Sequence, residues 1–136
     1  METEELVRRL AGGTSPLERE SAARALDHAP QSPEVERALI QAARADPHPM
    51  VRKWSLHALG CATCKPDGEC STEVVALFVD ALLNDRNGKV RKFAAGMMMH
   101  GQLGRDDRVR SAFLAVREHP QRVLRERADH FLSRVG

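Results

Sequence analysis

Val51-Arg52-Lys53-Trp54-Ser55-Leu56-His57-Ala58-Leu59 is one of four versions of a single phrase in this chain. The others are Glu18-Arg19-Glu20-Ser21-Ala22-Ala23-Arg24-Ala25-Leu26, Val90-Arg91-Lys92-Phe93-Ala94-Ala95-Gly96-Met97-Met98 and Leu124-Arg125-Glu126-Arg127-Ala128-Asp129-His130-Phe131-Leu132. Arginine holds the second place in all four. The starting positions are separated by 33, 39 and 34 residues. A period of this size marks stacked helical repeats, each too small to bury its own apolar face. The surplus in the middle spacing falls at 61–70, where all three cysteines lie.

The chain has 136 residues, enough for one domain, and 42% of them are hydrophobic, which excludes disorder by composition. Aromatics make up only 4% and tyrosine is absent, so alanine, leucine, valine and methionine must fill the core. That palette suits closely packed helices better than a sheet. The net charge of +2 gives no electrostatic argument for nucleic acid. No apolar run is long enough to span a membrane. The opening Met1-Glu2-Thr3-Glu4-Glu5 is acidic and has no apolar h-region. It reads as lacking a signal peptide, so the expected compartment is the cytoplasm, where stable disulfides are unusual.

Helix starts are well marked. Ser15-Pro16-Leu17-Glu18 and Ser32-Pro33-Glu34 each place a serine at the N-cap and a proline at the first helical position. Ser71 caps a fifth helix with the stripe Val74, Val75, Leu77, Phe78 and Leu82. Thr3 is read as the cap of the first helix and Pro120 as the opening of the last. Pro49 opens the fourth, which is expected to end near Gly60. The whole reads as an all-α chain of four helix pairs in one domain, 1–136, with repeats at about 2–29, 32–60, 71–101 and 105–135 and a cysteine-rich insert at 61–70.

Asp46-Pro47-His48-Pro49-Met50-Val51-Arg52 and Asp85-Arg86-Asn87-Gly88-Lys89-Val90-Arg91 resemble the turn of HEAT repeats, with an aspartate five residues before a Val-Arg pair. The likeness extends over essentially the whole chain. The end repeats depart from it, with Gly13 and His119 at the aspartate position. The resemblance implies an α-α superhelix of the PBS-lyase HEAT-like kind, whose second helices line a concave face. HEAT-like repeats serve as adaptors, as subunits of bilin lyases, as an iron hydroxylase and as a DNA alkylation-repair glycosylase, so the resemblance implies no particular reaction.

The arginine column, Arg19, Arg52, Arg91 and Arg125, has two readings. With Lys53, Lys92 and Arg127 beside it, it can form a ridge for phosphates. In HEAT repeats such an arginine resembles a ladder partner for the turn aspartates Asp46 and Asp85. The ladder is the stronger reading, since Glu18, Glu20 and Glu126 dilute any ridge.

The loop Cys61-Ala62-Thr63-Cys64-Lys65-Pro66-Asp67-Gly68-Glu69-Cys70 is a Cys-x-x-Cys followed by a third cysteine, with a tight turn between. It has three competing readings: a structural Zn2+ site, a disulfide with one spare thiol, or free thiols. Zinc leads, because three cysteines within ten residues are hard to explain as core filler. The expected ligands are Cys61, Cys64, Cys70 and His57. The last is preferred because it lies four residues before Cys61 on one helical face. His100 is the alternative, in the column of Cys61 one repeat later; His28 completes that column, and Asp67 or Glu69 are weaker oxygen ligands. Met97-Met98-Met99-His100 reads as core packing rather than soft-metal binding. Trp54 reads as packing between repeats, because Phe93 is its counterpart.

Catalytic signatures are absent: there is no Gly-rich phosphate loop, Gly-x-Ser-x-Gly or His-Glu-x-x-His. The one adjacent Glu-His pair, Glu118-His119, reverses the His-Glu order of the HEAT iron hydroxylase. A base-extruding repair activity would draw on a thin aromatic supply, one Trp, four Phe and no Tyr, and stays as the runner-up enzyme class. The expectation is therefore a non-enzymatic scaffold with a zinc-stapled cysteine loop that binds a protein partner on its concave face. The alternatives are a nucleic-acid-binding module and an accessory subunit of a lyase-type enzyme.

Overall fold

A computed structural model describes residues 2–30, 32–63, 71–100 and 103–135, and the side chains at 61–63 and 135 lie outside the described set. The described residues form eight α-helices: α1 Thr3–Gly12, α2 Pro16–Leu26, α3 Pro33–Ala45, α4 Pro49–Thr63, α5 Thr72–Asn84, α6 Gly88–Met98, α7 Asp107–Ala115 and α8 Arg122–Val135. A 3-10 turn at Leu103–Arg105 precedes α7.

Local chemistry sets most of the starts. Ser15, Ser32 and Ser71 accept hydrogen bonds through Oγ from the amides of Glu18, Val35 and Val74 at 3.0, 3.1 and 3.1 Å. Each serine thereby satisfies an amide that the helix leaves without a partner. Two expected starts shift. Glu2, not Thr3, occupies the N-cap of α1, and its side chain makes no capping bond. The last helix begins at Arg122, two residues beyond Pro120. At its other end α4 runs to Thr63, past the expected stop at Gly60.

The helices gather into two compact units, Met1–Gly68 and Glu69–Gly136. In the first, α1 and α3 form one layer and α2 and α4 the other, each helix packing on its partner and its layer neighbour. The second repeats the plan, with α5 and α7 against α6 and α8. The core of unit 1 is aliphatic, with Leu10, Leu26, Val35, Val51, Leu56 and Leu59 among its fully buried side chains. Unit 2 adds aromatic bulk. Phe78 and Phe113 are buried, and Phe113 stacks on Phe131 with ring centroids 4.4 Å apart. Met98 is buried, while Met97 and Met99 are half-buried, so the core-packing reading of the methionine run holds fully for Met98 alone.

Candidate functional site

The arginine column is committed to structure. Each of the four donates Nη1 to the carbonyl six residues before it: Arg19 to Gly13 at 2.9 Å, Arg52 to Asp46 at 2.9 Å, Arg91 to Asp85 at 2.7 Å and Arg125 to His119 at 2.8 Å. The guanidinium thus ties the start of each second helix to the end of the helix before it. Arg19 also grips Asp46 of the next repeat, Nε to Oδ2 at 2.8 Å and Nη2 to Oδ1 at 3.3 Å. The carboxylate raises the Arg19 guanidinium further above its ordinary value, the hydrogen bond contributing most. In unit 2, Arg91 Nε donates to Gln121 Oε1 at 3.0 Å, and Gln121 Nε2 donates to Gly88 O at 3.0 Å. Gly88 makes room for this pair: a Cβ there would lie 3.2 Å from Arg91 Nη2 and 3.3 Å from Gln121 Nε2.

The turn aspartates have a second task that explains the odd fourth repeat. Asp46 Oδ1 accepts from the His48 amide and Asp85 Oδ1 from the Asn87 amide, both at 2.9 Å. His119 Nδ1 accepts from the Gln121 amide at 2.9 Å. So His119 takes over the turn bond of the missing aspartate while Gln121 takes over its ladder bond. Asp106 offers a different device at the start of α7. Arg108 forks it through Nε at 3.0 Å and Nη2 at 2.9 Å, which holds the carboxyl below the usual carboxylate range. Arg108 Nη1 reaches Thr72 O at 3.1 Å, joining the starts of α5 and α7.

A mixed cluster sits where α2 and α4 face one another in unit 1. The Arg24 guanidinium carbon lies 4.5 Å from the Trp54 ring centroid, and Lys53 Nζ lies 5.3 Å from it. The Trp54 and His57 rings are 5.3 Å apart, and His57 Nδ1 is 3.2 Å from Asp27 Oδ2. Asp27 Oδ1 is buried without a hydrogen-bond partner among the described residues, as is Ser55 Oγ. Neither the Asp27–His57 contact nor the Arg24–Trp54 contact is legible in the repeat columns, because each joins positions on two helices that occupy different columns.

Of the expected zinc ligands, His57 is placed as above. The Cys61 side chain, Cys64 and Cys70 lie outside the described residues, as do Asp67 and Glu69. His28 and His100 are exposed, each just beyond its helix. Among the described residues no three His, Cys, Asp or Glu side chains come together as a metal-holding group. On the other layer of unit 1, a groove of about 1040 Å³ runs between α1 and α3, floored by Val7, Leu10, Ala38 and Ala42, with Arg19 and Asp46 at one edge.

Residues 3–92 match the family described as HEAT repeats. The chain belongs to the HEAT-repeat family. Its fold is similar to that of human deoxyhypusine hydroxylase, solved in complex with glycerol, with a TM-score of 0.70 and 23% sequence identity. The match covers 97% of this chain and 42% of the hydroxylase, so the chain spans less than half the length of that protein. No curated protein matches the sequence. The comparison corrects one expectation. The chain was expected to be non-enzymatic, on missing motifs and a scaffold fold, yet this solved structure of similar fold is that of an enzyme. A HEAT stack is thus also a framework for catalysis, and a list of absent motifs drawn from other folds does not exclude it. No helix among the described residues is long and apolar enough to cross a membrane.

Proposed function

We propose that this HEAT-repeat chain binds a protein partner through its second helices, on the face of α2 and α4 in unit 1 and on that of α6 and α8 in unit 2. The observation that carries this reading is Arg24 seated over Trp54. Tryptophan and arginine are the residue types that anchor protein interfaces, and this pair lies apart from the arginines that the ladder consumes. The phosphate-ridge alternative is weakened by the same ladder, since the column it needs is bonded to backbone carbonyls, Asp46 and Gln121. A photo-crosslinking amino acid at the exposed positions Ser21 and Lys92, compared with the exposed first-helix positions Arg44 and Ala76, tests the reading in cells. The expected result is a specific protein adduct at Ser21 and Lys92 and none at the other two. Nucleic-acid adducts, or the same adducts at all four positions, would overturn it.

We also propose that the cysteine loop holds one structural Zn2+ through Cys61, Cys64, Cys70 and His57. Three thiolates and an imidazole form a closed tetrahedral donor set with no open catalytic position. The contact between Asp27 and His57 Nδ1 supports the choice of histidine, because a carboxylate on one ring nitrogen orients an imidazole to ligate through the other. Protein purified without chelator should carry one zinc per chain. Stripping the metal should lower the melting temperature by several degrees, because the metal closes a loop with little apolar surface of its own. Three freely titrating thiols in metal-free protein of unchanged stability would sink this assignment.

A further inference from the structure

The cluster on α2 and α4 contains an arginine whose partner is a ring instead of an acid. Glu20 lies four residues before Arg24 and Asp27 three residues after, both spacings that bring side chains together on a helix. The Arg24 guanidinium nevertheless forms no ion pair or hydrogen bond among the described residues; it lies over Trp54 at 4.5 Å. Asp27 turns away from it, 3.2 Å from His57. Arg24 is exposed, so its position over the ring is not forced by burial.

A guanidinium held against an indole face keeps its charge on the ring's negative quadrupole and directs its N–H groups outward in its own plane. That fork matches the two oxygens of a carboxylate. Because the ring limits the rotamers of the arginine, less entropy is lost when the fork is used. We propose that Arg24 is a recognition point for a single glutamate or aspartate side chain on a segment of the partner protein, with Trp54 as the platform that presents it. The proposal rests on the reading of the second-helix face as a protein-binding surface.

The surroundings select among anions. Glu20 and Asp27 flank Arg24 on its own helix, so a dense row of negative charges meets repulsion on both sides, whereas one carboxylate between neutral neighbours does not. Arg24 at 4.5 Å and Lys53 at 5.3 Å from the Trp54 centroid already occupy the ring, which leaves the covered face closed to a stacked nucleobase. An isolated acidic residue flanked by apolar ones fits both conditions.

Trp54 is the only tryptophan in the chain, so its emission reports this site alone. The full chain is titrated with the capped peptide Gly-Leu-Glu-Leu-Gly, with its Gln and phosphoserine counterparts, and with an eight-nucleotide oligothymidine. The expected result is a saturable change in Trp54 emission with the Glu peptide and at least fivefold weaker binding of the Gln peptide. Arg24→Gln should weaken the Glu peptide by a similar factor at an unchanged helical melt. Arg24→Lys should fail to restore it, because an ammonium lacks the fork. Equal binding of Glu and Gln peptides, or an Arg24→Gln variant that binds like the parent, would overturn the proposal. So would tighter Arg24-dependent binding of the phosphoserine peptide or the oligonucleotide, or no change in emission with any probe. Cross-links at Ser21 and Lys92 that persist in any of these cases would leave the second-helix interface standing and remove only the carboxylate contact.

Discussion

Replacing Asp46 with alanine is expected to destabilise the protein by about 3 kcal/mol, because it removes a buried carboxylate that pairs a part-buried guanidinium and caps an amide. The Asp46 and Arg19 side chains are only 6% and 13% exposed. Removing the carboxylate leaves Arg19 with its bond to Gly13 O and takes away the acceptor of the His48 amide, which is 2.9 Å from Oδ1. An exposed pair contributes a small fraction of this. Burial separates the two cases here, which is why the exposed Arg122–Glu126 contact at 2.7 Å supports no comparable expectation. Chemical denaturation followed by helical circular dichroism measures the difference. A companion variant, Asp46→Leu with Arg19→Met, should recover only the part of the loss that comes from the unpaired guanidinium, because the apolar pair removes both charges but leaves the His48 amide without its acceptor. An Asp46→Ala protein within about 0.5 kcal/mol of the parent would show that the ladder behaves as a surface ion pair.

Phe113→Ala should cost about 4 kcal/mol, the upper range for large-to-small core substitutions. The Phe113 side chain is fully buried, and its ring stacks on Phe131 at 4.4 Å with planes 23° apart. Truncation therefore loses the transfer energy, leaves a cavity and breaks an aromatic pair. Phe113→Leu should cost nearer 1.5 kcal/mol, since it keeps most of the volume. A loss under about 1 kcal/mol for the alanine variant would mean that the neighbouring helices collapse onto the vacated site.

The elements legible in advance were those whose causes lie within a few residues. Ser15, Ser32 and Ser71 accept amides three positions ahead, a contact that sequence spacing alone specifies. The α5 stripe is buried as its periodicity requires. Where local signals were wrong, a neighbour competed for the same task. Glu2 takes the N-cap that Thr3 was expected to hold, and Thr3 becomes the first helical residue. His119 looked like a missing aspartate, and the replacement was hidden because two residues divide one job: His119 holds the turn and Gln121 holds Arg91.

The sequence by itself determined the helices, their pairing and the repeat register, because capping, periodicity and a recurring arginine are short-range signals. It also pointed to the ladder, since the turn aspartate and the Val-Arg pair recur at fixed spacing. The tertiary structure alone decided which side chains meet across helices. Arg19 and Asp46 are joined over 27 residues of chain, and Arg91 and Gln121 over 30. Arg24 finds Trp54, and Asp27 finds His57, against the nearer partners that helical spacing offers. Those choices depend on how deeply α2 and α4 interlock and on which rotamers the packing leaves open. That is a property of two surfaces in contact, and no spacing along one strand of sequence encodes it.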